Sequence, residues 1–491
     1  MLKKLKILKI TTMGAIALMS NMLAQLAYAD VTDDLIQKIM VERKIPGLQL
    51  AIVQNGKIIK SRGYGQSNLQ HSVNVTNETI FPINSMTKMF TGVAIMQLVE
   101  QKKLNLDDEI GKHLPELPMS WHHFTIKQLI AHTSGLPNIL SGRNIDLIAN
   151  NVPSAAWELV QTKPLKFKVN SQFQYNQTGY VILGMVINKL AKQEFTNFIK
   201  HNQLSKVGMP LTQQAGFAYI EDVIPNQASQ YRYRRNGKLR TQSGEFAPLM
   251  RTAAGMNTNA NELAHYVIAL QSGSLLNESN LNALWTPIVL NNGRTAGFSS
   301  FENGYAIGWQ VENRKTHRGV SASGGNANTL MIYPEDDLSI IVLTNLIGAL
   351  PIQFVDEIAS IYLTDMKKEN GWQVPFQLLK EEVSKHNFKN IMETTNRLEN
   401  KFGIYFNVGE LNEWGYQLIN QKNIEGALAV FTLNTEMHPE VANTFDSLGE
   451  TYAVMKQYKQ ALANYQKVLL LQPDNQAAKK QIKLIKDIMN N

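Results

Sequence analysis

The chain contains no cysteine. That excludes disulfides, thiolate-bound metal, a thiol nucleophile and lipid attachment through an N-terminal Cys. Two further signatures are missing: H-E-x-x-H, which marks zinc hydrolases, and G-x-S-x-G, which marks the nucleophile elbow of α/β-hydrolases. His122-His123 has no acidic partner and makes a poor metal site, so neither metal nor cofactor is expected. No stretch beyond the first 29 residues is long and apolar enough to span a membrane. Excess charge is also scarce. Of the formal +8, residues 1–29 hold four Lys and no acid, which leaves +4 on the rest and no case for a nucleic-acid partner.

What is present suits a full-sized core with one or two further units: 491 residues, 44% of them apolar. Lys3, Lys4, Lys6 and Lys9 precede an apolar stretch, Thr11 to Leu26, that ends in Ala27-Tyr28-Ala29. A basic start, a short apolar run and A-x-A together predict a secretory signal over 1–29, cut after Ala29. The remainder is then expected in the periplasm or outside the cell, with no stable membrane anchor.

The segment "LQLAIVQNGKIIKSRGYG" (48–65) predicts two strands joined at Asn55-Gly56, a pair that tolerates the positive φ of a tight hairpin. From Ser85 to about Trp285 the pattern is mostly helical, with helices over 85–102, 126–132, 178–192 and 260–272. Strands return at 305–313, 319–325, 329–334 and 338–345. Lone hairpins are marginal, so both sets are expected in one antiparallel sheet, with the helical middle packed against it and a cleft between.

Beyond about residue 370 a spacing of 34 recurs: Gly415 and Gly449, Leu418 and Tyr452, Ala427 and Ala461, Phe431 and Tyr465, Pro439 and Pro473. This pattern resembles the tetratricopeptide repeat, a stack of antiparallel helix pairs that usually offers a concave surface to a peptide or protein partner. Repeats are assigned to 405–491. Residues 366–404 supply a helical linker or degenerate cap.

Ser85 and Lys88 form S-x-x-K. Among 24 Ser only Ser85 has this spacing, though about two matches are expected by chance, so the motif alone is weak. Asn84 is suited to cap the following helix, which would set Ser85 in a first turn where free N–H groups favour a developing oxyanion. Lys88, one turn on, shares that face and can serve as base if burial lowers its pKa.

The surroundings carry more. "FPINSMTKMFTGVAIMQLVEQKKLNLDDEIGKHLPELP", "FTIKQLIAHTSGLP" (124–137), "FQYNQTGYVILG" (173–184), "AAGMNT" (253–258) and "YPEDDLSIIVLTN" (333–345) resemble the serine β-lactamase and penicillin-binding-protein superfamily. They are most similar to its class C β-lactamase-like branch, which also contains esterases and DD-peptidases. The resemblance covers about residues 35–360. It implies an α/β (α+β) domain over 30–365, with an antiparallel sheet flanked by helices plus an all-α subdomain. An all-α repeat unit would follow.

The resemblance also implies roles. Ser85 is the nucleophile, and Lys88 and Tyr175 handle protons, either of them as the working base. The backbone N–H groups of Ser85 and Gly325 form the oxyanion hole, and Gln177, Ser323 and Gly324 contact substrate. Gln177 stands where Asn is usual. The departure that matters is at 322–325, Ala-Ser-Gly-Gly, where the family has Lys or His ahead of Ser/Thr-Gly. Losing a charge-assisted contact to a substrate carboxylate costs about 1.5–3 kcal/mol, or about ten- to a hundredfold. Lys315, His317 and Arg318 lie nearby as possible replacements, or simply as solvated strand-edge charges.

These readings favour an acyl-enzyme hydrolase acting on an ester, amide, peptide or β-lactam, with an esterase or DD-peptidase preferred over an efficient β-lactamase. The alternatives are a penicillin-binding-like protein that binds without turnover and a module governed by its repeat partner. A Ser-His relay through His132 and Ser134 is the competing chemistry.

Overall fold

Leu48 to Val53 is apolar at every position but Gln49, and a strand can carry such a run only where both its faces are covered. The computed structural model, which describes residues 31–141, 152–218, 222–234, 238–242, 247–368 and 374–490, shows that arrangement. The proposed signal segment lies outside the described residues.

The main sheet has eight strands, numbered here in chain order: β1 Gly47–Gln54, β2 Lys57–Asn68, β3 Val73–Asn74, β4 Gly304–Tyr305, β5 Gln310–Glu312, β6 Gly319–Gly324, β7 Asn328–Tyr333 and β8 Leu338–Thr344. Their order is β3-β2-β1-β8-β7-β6-β5-β4, antiparallel throughout. The two ends of the domain therefore meet where β1 pairs with β8, Leu50 opposite Val342. Asn55 (φ 51°) and Gly56 (φ 70°) turn the β1–β2 hairpin as their left-handed tolerance predicts.

Alternation then divides the core. Leu48, Leu50 and Ile52 face one way, with Ile340 and Val342, and pack with Ile36, Ile39, Val355 and Ile358. These come from an N-terminal helix over 31–43 and a helix over 355–362. Ala51 and Val53 face the other way, with Ile341 and Leu343, into the larger core built by three helices: α1 Thr87–Glu100, α2 Thr178–Ala191 and α3 Ala260–Gln271. Among the described residues no helix is long and apolar enough to cross a membrane.

The C-terminal region is all helical: α4 Val374–Lys385, α5 Ile391–Phe402, α6 Val408–Asn420, α7 Ile424–Met437, α8 Ala442–Val454, α9 Tyr458–Leu471 and α10 Gln476–Asn490. The 34-residue spacing has a packing cause. A Cβ on Gly415 would sit 2.4 Å from the Phe431 ring, and one on Gly449 would sit 3.3 Å from the Tyr465 ring. In each pair the first helix therefore needs a bare backbone where the second presents an aromatic side chain. Ala427 and Ala461 are fully buried at the same contacts.

Candidate active site

Ser85 is set by a two-stranded ribbon, Phe81–Asn84 against Met256–Thr258, that runs into α1. Asn84 does not cap the helix as expected. It adopts φ 50°, its side chain donates to Pro82 O at 3.3 Å, and the helix begins at Thr87. Ser85 instead occupies a tight turn just ahead of α1, closed by Lys88 N–H to Ser85 O at 3.0 Å.

β6 comes close to that turn because it carries two glycines. A Cβ on Gly324 would lie 1.9 Å from Ile83 O, and one on Gly325 (φ 62°) 2.5 Å from Asn84 Nδ2. Neither the Ser85 nor the Gly325 amide is spent in a turn or loop hydrogen bond, so both remain for an oxyanion.

Lys88 is 1% exposed. Its Nζ donates to Ala253 O at 2.7 Å and lies 4.7 Å from the Tyr175 ring centre and 4.9 Å from that of Tyr180. "AAGMNT" thus serves to hold the amine. Burial without a carboxylate partner depresses the Lys88 pKa well below its ordinary value, which leaves a neutral amine available as base. Tyr175 moves the other way. Burial raises its phenol to about 12, against the opposing effect of hydrogen bonds with the Ser85 and Gln177 side chains.

Gln177 stands beside Tyr175 but is not among the residues lining the cleft, and its Oε1 is buried without a partner. Asn176 closes the turn before α2, donating to Leu136 O at 2.7 Å and accepting from Gly179 N at 3.1 Å. His132 is not placed for a relay. It is buried among Phe173, Tyr175, Tyr180 and Tyr305, with Nδ1 accepting the Asn176 N–H at 3.1 Å. Burial first, then the nearby Lys88, keeps it neutral. Ser134 accepts from Leu136 N at 3.4 Å and is likewise local support.

Ser85, Tyr175, Ala322, Ser323, Gly324 and Gly325 line one cleft of about 830 Å³. The three basic candidates for the missing cation do not reach it. Lys315 Nζ donates to Asn400 O, His317 lies between Asp336 (3.0 Å) and Asp365 (3.1 Å), and Arg318 pairs with Glu335 (3.0 Å).

The cleft has a wall that the sequence did not reveal. Phe376 and Lys380 of α4, with Glu410, Glu413, Trp414 and Gln417 of α6, face Ser85 across it. The helical unit is fastened there by Ser300 N–H to Glu410 (2.5 Å), Asn407 Nδ2 to Gly297 O (3.1 Å) and Gln172 Nε2 to Glu440 O (3.1 Å). The Arg294 guanidinium also lies 4.7 Å from the Tyr405 ring centre. Phe298 and Glu302 complete the wall from the sheet domain. Only Trp414 belongs to a motif, as the residue ahead of Gly415 in the 34-residue repeat, and only the folded contact places these residues at the cleft.

Comparison with known proteins fits this geometry. Residues 32–356 match the family model described as Beta-lactamase. Protein flp of Staphylococcus aureus (strain N315) is 26% identical over 368 residues, covering 74% of this chain and 71% of its own. The octameric penicillin-binding protein homologue from Pyrococcus abyssi shares the fold at a TM-score of 0.58 and 24% identity, over 72% of this chain and 81% of its own. EstCE1, described as a hydrolase with promiscuous acyltransferase activity, does so at 0.57 and 21%, over 68% of this chain and 99% of its own.

Proposed function

The chain belongs to the Beta-lactamase family, and from that premise we propose a serine hydrolase that works through an acyl-enzyme at Ser85. The observation that carries this reading is the hydrogen bond between the Ser85 and Tyr175 side chains beside the buried Lys88 amine, with the two proton handlers shifted in opposite directions, Lys88 down and Tyr175 up. Lys88 is then the amine made readier to lose its charge and take a proton from Ser85, and Tyr175 the phenol that keeps a proton to give. Lys88 accepts the Ser85 proton as Oγ attacks the substrate carbonyl carbon. The oxyanion rests on the Ser85 and Gly325 N–H groups, and Tyr175 protonates the departing oxygen or nitrogen. Water then releases the acyl group by the reverse proton path.

The substrate class follows from Ala322. With Lys315, His317 and Arg318 held elsewhere, nothing on β6 offers a cation to a substrate carboxylate. Lys380, on the opposite wall, is flanked by Glu413 and Glu410. This supports esters and amides without an obligatory carboxylate over β-lactams. We place the protein outside the cytoplasm on the strength of its N-terminal segment.

A panel of p-nitrophenyl esters, D-Ala-D-Ala peptides and β-lactams tests the reading. Turnover should be highest on the esters and vanish in Ser85→Ala. Binding without turnover across the whole panel would overturn it.

A further inference from the structure

The wall facing Ser85 holds more acid than acyl transfer uses. Glu302, Glu410 and Glu413 line it, and Lys380 is the one Lys or Arg beside them among the described residues. Glu302 is only 7% exposed. Its backbone N–H donates to Ser299 Oγ at 2.9 Å, but its carboxyl meets neither a donor nor a cation. Behind it lies Glu312, fully buried, with Oε1 accepting the Ser321 hydroxyl at 2.7 Å and Oε2 unpartnered. Arg314 offsets the burial of Glu312 only in part, because both its terminal nitrogens bind Asp356, at 2.8 and 3.0 Å. Burial and the neighbouring Glu312 and Glu410 accordingly push the Glu302 carboxyl up to about 8.

A second feature points the same way. Phe298, Tyr305, Phe376 and Trp414 present rings to this space. The wall already carries one ammonium on such rings, since Lys380 Nζ lies 4.5 Å from the Phe376 centre and 6.0 Å from that of Trp414. A carboxylate ligand would meet three carboxyl groups and one lysine that two of them already flank. An ammonium would meet an unpaired buried carboxyl and the aromatic side chains that line the same space.

We propose that this wall is a subsite for a protonated primary amine, so that the preferred acyl donor is an ester or amide bearing an ammonium that seats on Glu302. The proposal rests on the hydrolase reading. It adds that the C-terminal helices, through Glu410, Glu413, Phe376 and Trp414, form part of the substrate site. When the amine binds, Glu302 gives its proton to solvent and the ammonium takes its place.

The test compares full-length protein on matched p-nitrophenyl esters: glycine, 4-aminobutyrate and 6-aminohexanoate, each against its N-acetyl counterpart. At the length that spans the cleft, kcat/KM should favour the free amine by at least about tenfold. Glu302→Gln should bring that ratio close to one, and Glu413→Gln should lower it partway. Equal rates for amine and acetamide in wild type, or an unchanged ratio in Glu302→Gln, would overturn the proposal. Calorimetric titration of Ser85→Ala with 6-aminohexanamide and hexanamide needs no turnover. If no ester is cleaved, the hydrolase reading fails, and the titration still decides the subsite. Tighter binding of the amine, lost in Ser85→Ala/Glu302→Gln, supports it, and equal binding of the two amides refutes it.

Discussion

Lys88 Nζ donates to the carbonyl oxygen of Ala253 at 2.7 Å inside a site that admits almost no solvent. The amine is held in place without being charged by a neighbouring carboxylate. Replacing it with Met keeps an unbranched stem one atom shorter and removes a polar group from the core. Lys88→Met should therefore fold with an unchanged or higher melting temperature while kcat/KM falls about 10²- to 10⁴-fold. Circular dichroism melts and ester kinetics check the two halves separately.

The pH profile follows from the same pair. Lys88 has its pKa depressed by burial, so the active neutral amine gains population as pH rises and is already dominant well below the ordinary lysine value. Tyr175, raised to about 12, keeps its proton across the working range. A plot of kcat/KM should therefore rise through one limb and stay level to about pH 10. Tyr175→Phe should keep the limb and lower the plateau about a hundredfold.

Gly324 is required by contact rather than by turn geometry. Ala at this position would bring Cβ to 1.9 Å from Ile83 O, forcing β6 away from the Ser85 turn. Gly324→Ala should cost about 1–3 kcal/mol of stability and most of the acylation rate. The first shows in denaturant titration, and the second as slowed labelling by an active-site probe.

Glu302 makes stability fall with pH. Its folded carboxyl keeps a proton up to about 8, whereas the same group in the unfolded chain releases it near 4.5. Between those values the folded state binds more protons, so stability declines as pH rises and levels off above about 8. Glu302→Gln should melt at a higher temperature than wild type at about pH 9, with the gap closing toward about pH 4. The difference is on the order of a few kcal/mol, and part of the slope remains from Glu312, whose carboxyl is raised to about 7. Parallel melting curves at both ends of that range would contradict it.

The sheet was legible because Leu48–Val53 and Leu338–Leu343 are apolar but for Gln49 and Ser339 and are bounded by turn residues, and Ser85, Lys88 and Tyr175 because each sits in a motif of fixed spacing. Asn84 misled because a good capping residue is equally good in the left-handed region, where it stands. The far wall was not legible at all. Phe376, Glu410 and Trp414 lie more than 200 residues from Tyr175 along the chain, and nothing in a helix-pair pattern says which outer face will meet another domain. The same holds for Glu302, whose isolation depends on the burial of Glu312 and on the pairing of Arg314 with Asp356.

The most direct test of acyl-enzyme chemistry at Ser85 is intact-mass analysis of native protein after exposure to a fluorophosphonate, with peptide mapping of the adduct. One adduct is expected, on Ser85, absent from Ser85→Ala and from heat-denatured protein. No adduct on native protein, or an equal adduct on Ser85→Ala, would contradict it.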